Sequence, residues 1–332
     1  MQWLQRMAVV FAVLMVSISL PGAEPHQEEN GTQAKQLAYI VSDTRIPFWN
    51  IMARGIRAKA EKLGYEVETY SAENSPKREL EFTAKAIRER VAGIIVSPTT
   101  SSACATILKL AERAGTPVVI ADIGTDDGRY VSYIASDNRD GAYRIGKILA
   151  AQMAAHGFET GRVGIVAIPQ KRLNGQERTA GFMEAMAEAG IRSADIRQQV
   201  DFSEGETYRL SRELIAKHAD LRALWLQGSD RYAAALRAIE DAGKRGEILL
   251  VTFDAEPEFL RLIPEGVLVG AAMQQPFLMG ETAVETMDRY LKGVPVEKNV
   301  KLPVLAISAE NINQMLPTIR RNVLGLTETT QE

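Results

Sequence analysis

Residues 37–71 read LAYIVSDTRIPFWNIMARGIRAKAEKLGYEVETYS. The first run, LAYIVS, is almost entirely apolar, which is typical of a parallel strand that is covered on both faces. An amphipathic helix follows, and Gly64 ends it before the second strand candidate, YEVETYS. Strand, helix and strand in this order predict a βαβ unit. The apolar stripe of the helix consists of Met52, Ile56, Ala60 and Leu63.

The same alternation continues along the chain. Apolar strands that alternate with amphipathic helices predict a doubly wound α/β fold, with helices on both faces of each sheet. A chain of 332 residues favours two lobes over one small core. The later strand candidates are AGIIVS (92–97), PVVIAD (117–122), RVGIVAI (162–168), ALWLQ (223–227) and ILLVTFD (248–254).

Small or carboxylate residues stand at the carboxyl ends of these strands, where open α/β sheets bind their ligands. Each of them alone fits a helix N-cap as well as a ligand contact. Together they predict one binding cleft. The strand ends are Ser42-Asp43, Ser97-Pro98-Thr99, Asp122-Ile123-Gly124, Gln227-Gly228-Ser229-Asp230 and Phe253-Asp254.

The amino terminus has the layout of a secretory signal. Arg6 precedes an uncharged apolar stretch at 7–20, and Pro-Gly-Ala follows it. This stretch is shorter than the roughly 20 residues that span a bilayer. We predict a signal peptide at 1–23, cleaved after residue 22 or 23, a disordered leader at 24–35 and a periplasmic location. Cys104 is the only cysteine, so we expect neither a disulfide nor a lipid anchor.

Several function classes are disfavoured by composition and motifs. The net charge of −3 offers no basic field for nucleic acid. The three histidines are isolated, which argues against a metal site. The chain has no GxSxG elbow, P-loop, CxxC or dinucleotide-binding glycine motif. These features predict a binding protein without a cofactor rather than an enzyme.

The candidate binding residues suit a sugar-like ligand. Apolar ring faces stack on aromatic side chains, and hydroxyl groups bind carboxylates, amides and guanidinium groups. Phe48 and Trp49 are candidates for one wall, and Phe202 for the opposite one. A packing role for the first two stays open, because both lie at helical spacing from Met52. Candidate polar partners are Asp122, Arg178, Asp254 and Gln274.

From residue 37 to about residue 307 the chain resembles the ribose-binding protein group of type I periplasmic solute-binding proteins. The resemblance is carried, in order, by VSDTRIPFW, SPTTSSA, VVIAD, SYIASDN, QERTAGF, VDFSEGET, LQGSDRYAAALRAIEDAG, LVTFDAEP and AAMQQP. It implies two Rossmann-like lobes that are joined by a three-strand hinge and close on a ligand. The N-terminal lobe would comprise 36–136 and 275–302, and the C-terminal lobe 137–274 and 303–332. The implied hinge residues are Ser136, Asp137, Asn138, Gln274, Leu302 and Pro303.

The resemblance also implies a role for each candidate. Phe48 and Trp49 match the aromatic pair that sandwiches the sugar from the first lobe, and Phe202 matches the aromatic of the second lobe. We add Asp43 and Ser97, at the ends of two first-lobe strands, to the predicted ligand contacts. The polar matches are Asp122 to the first-lobe carboxylate, Arg178 to the second-lobe arginine, Asp254 to the second-lobe carboxylate and Gln274 to the hinge amide.

At four positions the chain departs from the ribose binders, and one of them is Ser97, which replaces another amide. Ile46 and Gly228 stand where those proteins place asparagines, and Ile123 stands where they place an arginine. These changes remove hydroxyl partners that are each worth roughly 0.5 to 3 kcal/mol. They predict a ligand other than ribose itself.

The leading hypothesis is a monomeric periplasmic protein that captures a monosaccharide or derivative and delivers it to the inner-membrane permease of an ABC importer. A rival is a ligand-sensing partner of a membrane histidine kinase that binds a non-sugar molecule, since Ile46 and Ile123 make the cleft more apolar. A transcription repressor of the same fold is disfavoured, because a signal peptide stands in place of its DNA-binding segment. The tail at 308–332 either packs on the second lobe or presents a docking surface around 319–321.

Overall fold

A computed structural model describes residues 35–326. The predicted signal peptide and the leader up to residue 34 lie outside the described residues, as does the end of the tail at 327–332. Lys35, which we assigned to the leader, is already the first residue of a strand. Within the described part of the chain, no helix is both long and apolar enough to cross a membrane.

The first lobe is built on a parallel sheet of six strands in the order β11-β5-β4-β3-β1-β2. Its strands are β1 (Lys35–Val41), β2 (Tyr65–Ser71), β3 (Gly93–Ser97), β4 (Val118–Ala121), β5 (Ser132–Ser136) and β11 (Asn299–Leu302). Helices cover both faces, because the strands are apolar on both. The helices α1 (Pro47–Lys62) and α9 (Pro276–Leu291) pack on one face. The helices α2 (Pro76–Arg88) and α3 (Ser101–Arg113) pack on the other.

The second lobe is built on another six-stranded sheet, in the order β12-β10-β9-β8-β6-β7. All its neighbouring strands are parallel except β12, which runs antiparallel to β10. The strands are β6 (Arg162–Ala167), β7 (Arg192–Gln198), β8 (Leu221–Leu226), β9 (Leu249–Phe253), β10 (Gly270–Met273) and β12 (Leu305–Ser308). The predicted fold of two doubly wound α/β lobes is confirmed.

The helices of the second lobe also lie on both faces of its sheet. One face carries α4 (Asn138–Ala155) and α5 (Leu173–Glu188). The other carries α6 (Glu204–Lys217), α7 (Tyr232–Asp241), α8 (Phe259–Leu262), α10 (Ile312–Thr318) and the π-helical segment Ile319–Val323. The described part of the tail therefore packs into the core of the second lobe.

Three connections join the two sheets. They run from β5 to α4, from β10 to α9 and from β11 to β12, and the residues that we predicted as the hinge lie in or beside them. The backbone amide of Asp137 donates to the carbonyl of Leu302 at 2.8 Å. The side chain of Gln275 donates to the carbonyl of Pro303, also at 2.8 Å. These bonds hold the three connections side by side.

Candidate ligand-binding site

A cavity of about 80 Å³ lies between the lobes, at the carboxyl ends of strands from both sheets. A single water needs about 10–15 Å³ by the same measure, so the cavity has room for a ring-sized solute. The first lobe contributes a largely apolar wall of Ile46, Phe48, Trp49, Asp122 and Ile123. The second lobe and the hinge contribute Ile168, Arg172, Asn174, Arg178, Gln199, Phe202, Gln227, Gly228, Asp230, Arg231, Asp254 and Gln274.

The first aromatic wall comes from the first turn of α1. Pro47 begins the helix, where its missing N–H has no intrahelical role, and the next two residues project beyond the carboxyl end of β1. The rings of Phe48 and Trp49 lie edge to face with centroids 6.4 Å apart. Trp49 is only 5% exposed and packs in the first-lobe core. Its indole Nε1 donates to Oδ2 of Asp122 at 3.1 Å, so this residue both packs in the core and lines the cavity.

The second aromatic wall is Phe202, on the loop before α6. Glu206 anchors this loop, because its carboxylate accepts hydrogen bonds from the backbone amides of Val200, Asp201 and Phe202 at 2.8, 3.1 and 2.9 Å. Ser203 caps α6 by accepting from the amide of Glu206 at 3.0 Å. Anchor and cap together define the position of the Phe202 ring at the cavity.

Arg178 lies at the centre of the polar wall and is 3% exposed. Its Nε donates to Oδ1 of Asn138 at 2.8 Å, and its Nη1 donates to the carbonyl of Gln227 at 2.7 Å. The same Nη1 lies 3.8 Å from Oδ2 of Asp254, and the guanidinium stacks 3.9 Å from the centroid of the Phe253 ring. Since α5 begins at residue 173, Arg178 lies in the second turn of this helix.

The two cavity carboxylates lie on strained backbone. Asp122 and Asp254 follow the ends of β4 and β9 with φ of 72° and 69°, in the left-handed region, which costs a residue other than glycine about 1 kcal/mol or more. Burial raises the pKa of Asp122 to about 6, against the opposing charge of Arg178. Burial also raises the pKa of Asp254, again opposed by Arg178. Strain and desolvation at paired carboxylates are typical of a binding site.

Two buried polar groups of the cavity lack a full set of partners within residues 35–326. Oε1 of Gln274 is buried without a hydrogen bond, while the Nε2 of the same side chain donates to Oδ1 of Asp254 at 2.5 Å. Oδ2 of Asp122 accepts from Trp49, and no protein donor reaches its Oδ1. Since buried polar groups normally have partners, these atoms are available to a ligand. The same part of the chain has no cluster of three or more potential metal-ligating side chains.

The structure brings seven of the nine predicted ligand contacts to the cavity, and leaves two outside it. Asp43 is 3% exposed, and its carboxylate accepts from Arg45 at 2.6 and 2.9 Å and from Asn74 at 3.1 Å. Ser97 is fully buried, with its Oγ 3.0 Å from the hydroxyl of Tyr39. Both side chains are used inside the first lobe, so our prediction that they line the cleft is wrong for this structure.

Other polar residues of the cavity were not among our predicted contacts. Two of them, Arg172 and Asn174, follow the end of β6, and Gln199 follows the end of β7. The rule that ligands bind at the carboxyl ends of strands would have found them, had it been applied to these two strands. The others, which follow β8, are Gln227, Asp230 and Arg231.

Comparison with known proteins identifies the family of this chain. A family profile described as "Periplasmic binding protein domain" matches residues 37–295. The ribose import binding protein RbsB of Escherichia coli K12 is 31% identical over 279 residues, or 83% of this chain and 90% of that protein. The D-apiose import binding protein of Paraburkholderia graminis is 25% identical over 260 residues, or 78% and 82% of the two chains.

A solved structure shares the fold. The carbohydrate transporter solute binding protein from Agrobacterium radiobacter, in complex with D-arabinose, superposes with a TM-score of 0.79 at 22% identity, over 87% of this chain and 98% of that one. Because the family profile spans most of the sequence and the Escherichia coli relative is 31% identical over most of both chains, the chain belongs to the periplasmic binding protein family.

Proposed function

We propose that the protein captures a monosaccharide or a close derivative in the periplasm and delivers it to the inner-membrane permease of an ABC importer. The observation that carries the proposal is the cavity itself, in which aromatic walls lie beside the buried carboxylate of Asp122, the half-buried carboxylate of Asp254 and the buried guanidinium of Arg178. Relatives over most of the chain are named as import binding proteins for ribose and D-apiose. The protein acts as a binder that releases its ligand unchanged.

The arrangement suits recognition of a hydroxylated ring. Asp122 and Asp254 accept hydrogen bonds from ligand hydroxyls, and Arg178 donates to ring or hydroxyl oxygens. The apolar ring face lies against Phe48 and Phe202. A ligand that contacts both lobes favours the conformation in which they are close, since binding selects the state with which it makes more contacts. The hinge connections would accommodate this closure.

The apolar replacements in the cavity bear on the choice of sugar. Ile46, Ile123 and Gly228 all line it, and none has a side chain that can hydrogen-bond. A hydroxyl that faces them would lose its water without gaining a protein partner. We therefore propose a ligand that differs from ribose in the groups that face these three residues.

Tryptophan fluorescence tests the proposal. The described residues contain two tryptophans, Trp49 at the cavity and Trp225, which is fully buried and stacked on Phe182 with centroids 3.9 Å apart. Titration with a panel of monosaccharides and derivatives should identify a ligand that changes the emission. Trp49→Phe should abolish most of this change, and Trp225→Phe should preserve it.

Two results would contradict the proposal. One is the absence of binding by any sugar or sugar derivative, by fluorescence and by calorimetry. The other is a ligand-induced change that depends on Trp225 and survives Trp49→Phe. Delivery is tested by uptake of the identified ligand in cells with and without the gene, where loss of the protein should lower uptake at limiting ligand concentration.

We also propose that the protein is exported with removal of residues 1–23 and works as a monomer. Mass spectrometry of the exported protein should find a mature start near Ala23 or Glu24. An intact Met1 on membrane-bound material would contradict the export proposal. Light scattering of the ligand-free protein tests the oligomeric state.

A further inference from the structure

Three arginines line the cavity, and they differ in their partners. Arg178 lies 3.8 Å from Asp254 and makes two further hydrogen bonds. Arg231 pairs with the neighbouring Asp230, and Asp201 and Glu204 also lie in its field. Arg172 has no side-chain hydrogen bond and no carboxylate within 4 Å anywhere in residues 35–326. It is therefore the one cavity arginine of the described chain whose charge has no direct counter-ion.

The position of Arg172 makes this absence costly. The side chain is half-buried, on the loop between β6 and α5, and its guanidinium carbon lies 5.6 Å from the centroid of the Phe202 ring. Burial lowers the pKa of the guanidinium, against the more distant charges of Asp122 and Glu79. Partial removal of water from a charge is unfavourable when no counter-ion replaces the water. An exposed surface arginine would pay no such cost, since water would solvate it.

Two acidic groups, Asp122 and Glu79, act on Arg172 from beyond 4 Å. Asp122 accepts from the indole of Trp49. Glu79 is fully buried and accepts from the amide and hydroxyl of Thr99 at 2.6 and 2.9 Å. Neither carboxylate lies within 4 Å of the Arg172 guanidinium, which therefore presents five unused N–H donors and a positive charge to the cavity.

We propose that the natural ligand carries an anionic group, a carboxylate or a phosphate, that binds Arg172, while its hydroxyl groups bind Asp122 and Asp254. The inference rests on the proposed function and specifies its ligand as a sugar acid or a sugar phosphate. A neutral hydroxyl could accept a hydrogen bond from Arg172 but would leave the charge uncompensated. A carboxylate or phosphate matches the planar guanidinium with two parallel hydrogen bonds and supplies the counter-ion.

The test uses matched sets of ligands on the full mature protein. Each set contains a neutral hexose, its uronate and its 6-phosphate, for the gluco, galacto and manno configurations. Calorimetry should find that the anionic member of at least one set binds at least tenfold more tightly than its neutral parent. The uronate and phosphate arms distinguish the two possible anionic groups.

Variants then locate the effect. Arg172→Met should weaken binding of the preferred anion at least tenfold and weaken binding of the neutral parent by a clearly smaller factor. Arg172→Lys, which keeps the charge without the planar fork, should retain part of the preference. Lys171→Met removes a positive charge from an exposed neighbour on the same loop and should leave the preference intact. Thermal melting of each ligand-free variant checks its fold.

The failures are distinguishable. Neutral sugars that bind as tightly as their anions, or an Arg172→Met variant that weakens both equally, would overturn the inference and leave the proposed function standing. Equal losses of affinity for the anion in Arg172→Met and Lys171→Met would show that the preference depends only on the net positive charge of the loop. This result would also overturn the inference. Binding of none of the sugars, neutral or anionic, would contradict the proposed function itself.

Discussion

At the residue scale, Asp122 combines burial, a strained backbone and a raised pKa, and each of these features lowers stability at neutral pH. Its carboxylate is 3% exposed, and its backbone has φ of 72°. Its pKa of about 6 lies above the value of 3.8 that the group has in water. Because the pKa is raised in the folded state, the stabilising contribution is present below pH 3.8 and is lost as the pH rises through about 6. At neutral pH the ionised group therefore lowers the free energy of unfolding.

Asp122→Asn should make the ligand-free protein more stable at pH 7.5, by up to about 3 kcal/mol. Asparagine can still accept from the Trp49 indole, and it tolerates the left-handed conformation. The gain should shrink as the pH falls towards 4, because the wild-type carboxyl then becomes protonated. Ligand affinity should fall, since an amide replaces a charged acceptor. Denaturant unfolding at pH 7.5 and 4.5, with calorimetry for the ligand, checks both effects.

Asp126→Asn is the matched control, since this aspartate is exposed in the turn that follows. It should change stability little at either pH. A destabilised Asp122→Asn protein at pH 7.5 would contradict the assignment of Asp122 as a desolvated, destabilising carboxylate.

At the element scale, the loop before α6 shows how a short stretch of sequence positions one side chain. Glu206 is 7% exposed and satisfies three successive backbone amides of the loop. Phe202 has φ of 57°, in the left-handed region. In a loop with fewer hydrogen bonds, this residue would relax to an unstrained backbone conformation. The ring at the cavity therefore depends on a carboxylate that does not itself line the cavity.

Glu206→Ala should lower stability by about 1 to 3 kcal/mol, because three partly buried amides lose their acceptor. Ligand affinity should fall several-fold, because Phe202 loses its preset position. Glu204→Ala is the control: this glutamate is exposed in the same first turn of α6 and shares its helix-dipole contribution. Denaturant unfolding and calorimetry measure the two effects. Wild-type affinity in Glu206→Ala would show that the loop needs no anchor.

At the scale of the whole molecule, the described tail connects the two lobes. Ile319 and Val323 are 1% and 3% exposed and belong to the second-lobe core. The guanidinium of Arg54, on α1 of the first lobe, donates to the carbonyls of Leu324 and Gly325 at 2.8 and 3.1 Å. Arg321 pairs with Glu281 of α9 at 2.7 Å. Ile319 is thus packed rather than offered for docking, and the tail contacts both lobes.

Arg54→Ala should shift the ligand-free protein towards more open conformations, because it removes two hydrogen bonds between α1 of the first lobe and the tail that packs on the second lobe. We expect a larger radius of gyration by X-ray scattering and a ligand affinity about three- to tenfold lower, since binding must restore the closed state. Arg57→Ala, at an exposed position one turn further along α1, is the control. An unchanged radius of gyration and affinity would limit the tail to a role in folding of the second lobe.

The local patterns of the sequence determined the α/β class, the order of strands and helices, and most of the aromatic and charged cavity residues. The class and the order of elements follow from the spacing of apolar residues along each segment, and the cavity residues follow from their position at or near a strand end. Both signals can be read within a few residues of sequence. The N-terminal segment up to residue 34 and the domain boundaries stay predictions.

Only the tertiary structure decided which strand-end residues face the cavity. Asp43 and Ser97 satisfy the same local rule as Asp122. Asp43 bonds to the nearby Arg45, but its other partner, Asn74, and the partner of Ser97, Tyr39, lie 31 and 58 residues away in sequence. A polar side chain takes whichever partner the fold brings to it, and no local pattern encodes that choice. The missing partner of Arg172 is equally invisible in the sequence, because a missing contact is defined only by everything that the fold places around the residue.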